Sequence, residues 1–262
     1  MALGWLYPLL GAFAGLVAGL LGVGGGLIIV PVLVFIFTAQ GVAPEQVVHL
    51  AVGTSLATIV LTSITSVRSH HQHGAVLWPV FRKLTPGIVL GAGLGAAIAN
   101  YLPAAGLRTF FGLFELYVAT QLLLDIKPHP QRRLPGTAGL LGAGGVIGTV
   151  SAIVGIGGGT LTVPFLVWCN IAMRKAVATS AACGLPIALA GSLGFVIIGQ
   201  GEAGLPDWSS GYVYWPAFAG IVVASTLLAP VGARLAHRLP ARQLKRVFAL
   251  LLYVLGVRML LG

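Results

Sequence analysis

Two stretches of this chain repeat an unusual set of groups. Gly19–Phe35 reads GLLGVGGGLIIVPVLVF, and Gly148–Trp168 reads GTVSAIVGIGGGTLTVPFLVW. Each breaks an apolar run with a GxGGG cluster and places a proline, Pro31 or Pro164, five residues after the last glycine. A turn inside a membrane leaves backbone N–H and C=O groups that must be buried in protein or line a polar cavity. Glycine permits such a turn and lets other atoms come close. Leu27 and Thr160 then begin short helices, whose N-terminal ends carry free N–H donors and about half a positive elementary charge. Two such ends meeting near the midplane make an anion site without a buried lysine or arginine. The candidates are Gly22, Gly24, Gly25, Gly26 and Leu27 in the first stretch, and Gly155, Gly157, Gly158, Gly159 and Thr160 in the second. Close helix packing is the other use of glycine, and the one expected of Gly15–Gly19 and Gly91–Gly95. The spacing does not match GxxxxGK[ST], so a nucleotide phosphate loop is rejected.

Hydroxyls recur in the same way. AVGTS at Ala51–Ser55 returns as AVATS at Ala176–Ser180. Thr54, Ser55, Thr179 and Ser180 offer donors to oxyanion oxygens, or bond back to their own helix or across to a neighbouring one.

Ionisable groups are few. Glu115, in FFGLFELYVATQLLL, is the one acid well inside an apolar segment. Acids there are expensive and often functional. It is a candidate to carry a coupling proton, the alternatives being a cation partner or a place near the interface. His49, at a helix entrance just before AVGTS, is a second coupling candidate. His70, His71 and His73 read as loop residues, with metal binding or pH sensing as the alternative. Cys169 and Cys183 are isolated and form no CxxC pair, so buried, reduced thiols are expected. No metal site and no cofactor are expected.

These groups sit in a chain that cannot cover a water-facing surface. Of its 262 residues 57% are hydrophobic and 8% charged, where a soluble domain carries about 25% charged. The apolar segments approach or exceed the roughly 20 residues of a spanning helix. They lack the alternation of membrane strands. The chain is read as an integral membrane protein in a lipid bilayer. Its net charge of +10 belongs to loops that set orientation, not to nucleic-acid binding. The N-terminal MALGWLYPLL lacks a basic region and is read as the start of the first helix.

The repeats extend along the whole chain. GVGGGLIIVP at Gly22–Pro31 lands on GIGGGTLTVP at Gly155–Pro164. WPVF at Trp78–Phe81 lands on WPAF at Trp215–Phe218, and GAAIANYLP at Gly95–Pro103 on GARLAHRLP at Gly232–Pro240. Residues 1–124 and 136–262 are therefore read as homologous halves joined by the linker DIKPHPQRRLP, residues 125–135. Suppose each broken segment turns back at its glycines. Thirteen of the fifteen Lys and Arg residues then fall on one side, leaving Arg108 and Arg258 on the other. If each crosses once as a kinked helix, the charges divide almost evenly. The positive-inside rule favours the first arrangement. The expected fold is an all-α polytopic membrane protein of eight to ten helical segments. It has two inverted repeats, each with a glycine-broken re-entrant segment plus three spanning helices. The linker is cytoplasmic and both termini external.

The paired motifs GLLGVGGGLIIVPVL and AVGTSL, with GIGGGTLTVPFL and AVATSA, resemble the TauE/SafE family of sulfite exporter TauE-like permeases. The resemblance covers nearly the whole chain. It implies a multi-pass transporter of the cytoplasmic membrane that exports small sulfur-containing anions, such as sulfite or organosulfonates. It makes Gly22, Gly24–Gly26, Gly155 and Gly157–Gly159 pore-lining candidates. The physical reading agrees on an anion, held without fixed charge and so released readily. The inside-negative potential drives anions outward by about 2.3 kcal/mol per charge per 100 mV. An enzyme is not expected, since HExxH and paired intramembrane aspartates are missing. A proton-coupled transporter or channel for another ion, a metal included, is the alternative, as is a membrane-embedded subunit that transports nothing.

Overall fold

The computed structural model describes residues 4–21, 25–124, 132–236 and 241–262. Among these, ten helices follow in order: α1 Leu6–Leu21, α2 Gly26–Ala39, α3 Pro44–Gln72, α4 Trp78–Tyr101, α5 Ala104–Leu123, α6 Thr137–Val154, α7 Gly159–Trp168, α8 Met173–Ile198, α9 Trp215–Ala236 and α10 Ala241–Leu261. A short antiparallel ribbon, β1 Ser209–Ser210 with β2 Val213–Tyr214, precedes α9. The protein is an all-α polytopic membrane protein.

Among the described residues five helices, α3, α4, α6, α8 and α9, are long and apolar enough to cross a bilayer. This set departs from the three crossings per half expected from sequence. It omits α5 and α10, which carry Arg108 and Glu115, and Arg242, Lys245, Arg246 and Arg258. It includes α6, whose 18 residues rise about 27 Å, close to the roughly 30 Å hydrocarbon core.

Both glycine-broken segments are hairpins. Tyr7, near the start of α1, donates a 2.7 Å hydrogen bond from its hydroxyl to Gln40 Oε1, just past the end of α2. Its ring centroid lies 6.4 Å from that of Phe37. The start of one helix therefore touches the end of the next. In the second half the N–H of Arg132, before α6, reaches the carbonyl of Trp168, the last residue of α7, at 3.3 Å. The Arg132 guanidinium sits 5.0 Å over the Trp168 ring. A single kinked helix cannot bring these ends together.

Helix pairing follows the repeat. α1 packs along α9, where Gly11 and Gly15 lie against the backbone of Ile221 and Ser225. In the same way α4 packs along α6, with Gly87, Gly91 and Gly95 against Leu141, Gly145 and Thr149. Residue numbers rise together in both pairs, so each is parallel. Without side chains at the contact, backbones approach closely, and Thr149 Oγ1 donates to the Gly91 carbonyl at 3.0 Å. The packing role expected for Gly15, Gly91 and Gly95 is the one observed.

The other two pairs run in opposite directions. Along α3 and α8, Gly53 meets Phe195, Gly191 meets Leu56 and Gly184 meets Ser63. Along α5 and α10, Gly112 meets Gly256 and Leu260, and the hydroxyls of Thr120 and Tyr253 lie 2.6 Å apart. The sequence repeat makes α3 the counterpart of α8, and α5 that of α10. Counterparts thus lie side by side and antiparallel.

Candidate site at the glycine turns

The two turns meet. A Cβ placed on Gly26, the first residue of α2, would stand 2.6 Å from the Gly155 carbonyl oxygen and 3.0 Å from Ile156 Cα. Only glycine fits there. Gly155 ends α6 in the left-handed region, at φ 73°, which glycine adopts without strain. It is enclosed by Val30 of α2 and Val52 of α3. Ser55 Oγ, fully buried, donates to the Gly155 carbonyl at 2.9 Å.

The second turn then passes to α8. Gly157 faces Ile59 of α3, and Gly158 lies against the Ser180 carbonyl and Gly184 N–H. The turn thus runs from α3, at Gly155 and Gly157, to α8, at Gly158, with Gly26 against Gly155. Leu27, Thr160 and Ser180 are buried, and Gly25, Gly157 and Gly159 partly exposed. Gly22 and Gly24 lie outside the described residues, as do linker residues 125–131.

Three hydroxyls near the second turn are buried without a hydrogen-bond partner: Ser151, Thr160 and Thr162. Ser151 is in the last turn of α6, and Thr160 and Thr162 in the first turn of α7. A buried hydroxyl without a partner costs about 1–3 kcal/mol, so an acceptor that reaches any one of them recovers that cost. Pro164 adds to the polarity, since it cannot donate to the carbonyl four residues back, that of Thr160. Repeat comparison concealed Ser151 and Thr162. Their first-half counterparts are Ala18 and Ile29, as Leu27 is that of Thr160. The signal in the sequence was proximity: both lie within four residues of the turn.

Thr54 and Thr179 have other partners. Thr54 Oγ1 accepts from the Tyr214 N–H at 3.0 Å, and Thr179 Oγ1 from the Leu77 N–H at 3.0 Å. Tyr214 and Leu77 each immediately precede a Trp-Pro pair, at the starts of α9 and α4. The two threonines therefore serve as side-chain caps on helices of the opposite half. They satisfy N–H groups that a helix start leaves without a partner.

The coupling candidates lie apart from the turns. His49 Nε2 is 2.8 Å from the Ala99 carbonyl at the end of α4, and its ring centroid is 5.2 Å from that of Tyr212. Glu115 is fully buried in α5. At the far end of α3, His71 Nδ1 accepts from Trp78 Nε1 at 3.2 Å, and His73 Nδ1 approaches the Ser69 carbonyl at 2.7 Å. Among the described residues no three His, Cys, Asp or Glu side chains gather as a metal set. Cys169 and Cys183 are buried free thiols.

This arrangement offers hydrogen-bond donors and a helix N-terminus in a buried place, with no lysine or arginine among its residues. Comparison with known proteins agrees with a transporter. The chain is 37% identical over 255 residues to a "Probable membrane transporter protein" of Haemophilus influenzae, covering 97% of this chain and 96% of the relative. It is 28% identical over 272 residues to one of Methanocaldococcus jannaschii, covering 98% and 96%. A third relative, YunE of Bacillus subtilis, carries the same description and is 25% identical over 270 residues, covering 96% and 95%. No solved structure matches the chain. The family profile described as "Sulfite exporter TauE/SafE" matches residues 7–259, and the chain belongs to that family of multi-pass membrane transporters.

Proposed function

We propose that this protein exports small sulfur-containing anions, sulfite or organosulfonates, across the cytoplasmic membrane by alternating access. The anion is held where the two glycine turns meet. The contact of Gly26 with Gly155 and Ile156 carries this reading. It sets the N-terminal end of α2 against the turn that leads into α7, which supports a helix-terminus anion site there. The unpartnered hydroxyls of Ser151, Thr160 and Thr162 give a small oxyanion three further donors. With no fixed positive charge, the site binds loosely enough to release its ligand.

The two halves are inverted repeats in this reading. The antiparallel course of α3 beside α8, and of α5 beside α10, supports that, as does the closure of both hairpins. Linker residues 125–135 are then cytoplasmic and both termini external. The sulfur chemistry and the outward direction rest on the family description.

The test is uptake of radiolabelled sulfite and methanesulfonate by proteoliposomes containing the whole chain. Uptake should saturate, and Thr160→Val, which keeps the shape and removes the hydroxyl, should weaken the apparent affinity. If no sulfur oxyanion moves above protein-free liposomes, the reading is wrong.

A further inference from the structure

We propose that Glu115 is a proton-binding site that couples proton movement to the transport cycle, an inference that rests on the transport reading above. Glu115 is fully buried, and neither carboxyl oxygen has a hydrogen-bond partner. An isolated carboxylate is too costly to keep in such surroundings, and the group neutralises by binding a proton.

The titratable groups on the elements packed against α5 are engaged elsewhere or stand at its ends. On α10, Tyr253 pairs with Thr120, and the Arg258 guanidinium lies 5.6 Å over the Phe35 ring. Lys245 and Arg246 are in the first turns of α10, which runs antiparallel to α5, so they lie beside the end of α5 beyond Thr120. On α3, Glu45 and His49 are at the helix start, where His49 contacts Ala99, while Arg68, His70 and His71 are at its far end. α6 carries no titratable side chain. On α5 itself Tyr117 is exposed, and Arg108 stands seven residues away, about 10 Å along the axis.

Packing alone does not call for an acid here. The repeat counterpart is Leu252, a leucine fully buried on α10. The location also ties protonation to movement. A cleft of about 610 Å³ opens at the start of α5, lined by Arg108 and Thr109 and by Met259 and Leu260 from the end of α10. Between that cleft and Glu115 the seam is shut at Gly112, where a Cβ would stand 2.9 Å from Leu260 Cγ. In this proposal proton exchange takes place when α5 and α10 part. A proton taken up and released only when a packed seam opens shifts the population of two conformations, as coupling demands.

The test uses methanesulfonate, a strong-acid anion that carries no proton itself, with a pH-sensitive dye inside proteoliposomes. A methanesulfonate gradient should change the lumenal pH with the wild type. Glu115→Gln should keep exchange of labelled methanesulfonate at equal pH yet produce no pH change, and Glu115→Asp should restore part of it. A pH change in Glu115→Gln equal to that of the wild type would overturn the proposal. So would a loss of exchange as complete as the loss of coupling, since that marks a structural role.

Infrared spectroscopy separates this from failure of the transport reading. The chain has five acids, and Glu45, Glu202 and Asp207 are exposed. A protonated-carboxyl band at neutral pH, absent from Glu115→Gln, supports the proton site even if no tested anion moves. Its absence from the wild type ends the proposal.

Discussion

The hydroxyl of Ser55 donates a 2.9 Å hydrogen bond to the carbonyl oxygen of Gly155, one hundred residues further along the chain. It joins the serine of the first AVxTS element to the opening glycine of the second turn, and both groups are buried. This bond fixes the turn against α3 where Gly26 also touches it.

Ser55→Ala should leave the Gly155 carbonyl without its side-chain donor. The expected loss is about 1–3 kcal/mol of stability, read as a lower midpoint in thermal denaturation in detergent. Transport should fall further than stability predicts, because the turn loses its register. Equal activity per folded molecule would show that the bond is only structural.

The paired threonines make a symmetry argument testable. Thr54→Val and Thr179→Val each leave one part-buried N–H, that of Tyr214 or Leu77, without its acceptor. Each should cost about 1–3 kcal/mol. The sites cap different helices and share no partner, so the double variant should lose close to the sum. A strong departure from additivity in denaturation midpoints would mean that the two caps act as one unit.

Much of this architecture was legible because composition and repetition act over long distances. Apolar runs named the membrane. The placement of Arg and Lys favoured hairpins, as Tyr7–Gln40 and Arg132–Trp168 show. Tertiary partners were not legible. Thr54 and Ser55 are adjacent hydroxyls of one motif, yet one caps α9 and the other holds the glycine turn. Facing directions along α3 separate them, and sequence gives no partner for either. Ser151 and Thr162 escaped notice because symmetry directed attention to shared residues, whereas their distinction is that the other half lacks them.

Glycines differ sharply in what they tolerate, and one pair isolates the turn. Gly155→Ala meets Val30 Cγ2 at 2.9 Å and sits at φ 73°. The left-handed backbone alone costs about 1–2 kcal/mol for a residue with a Cβ. Gly142, on the same helix, has nothing within 4 Å of the point where a Cβ would stand, and Gly142→Ala should gain about 0.5–1 kcal/mol. Thermal midpoints should therefore move in opposite directions, with transport lost only in Gly155→Ala. Matching shifts would refute the tight fit of the two turns.

Orientation can be read with single cysteines. Cys169 and Cys183 are buried, and replacing both by alanine gives a background without thiols. A cysteine at Gln131 lies in the linker and one at Gly204 in the loop between α8 and β1. α8 separates Arg132, which reaches Trp168 near its start, from Gly204, which follows its end. As a helix long enough to cross the bilayer, it should place the two positions on opposite faces. In intact cells an impermeant maleimide should label Gly204→Cys and spare Gln131→Cys until the membrane is broken. Thirteen of fifteen basic residues then face the cytoplasm, as the positive-inside rule requires. The reverse pattern would invert the protein, place the charge-rich face outside, and reassign the cleft beside Arg108 from the external surface to the interior.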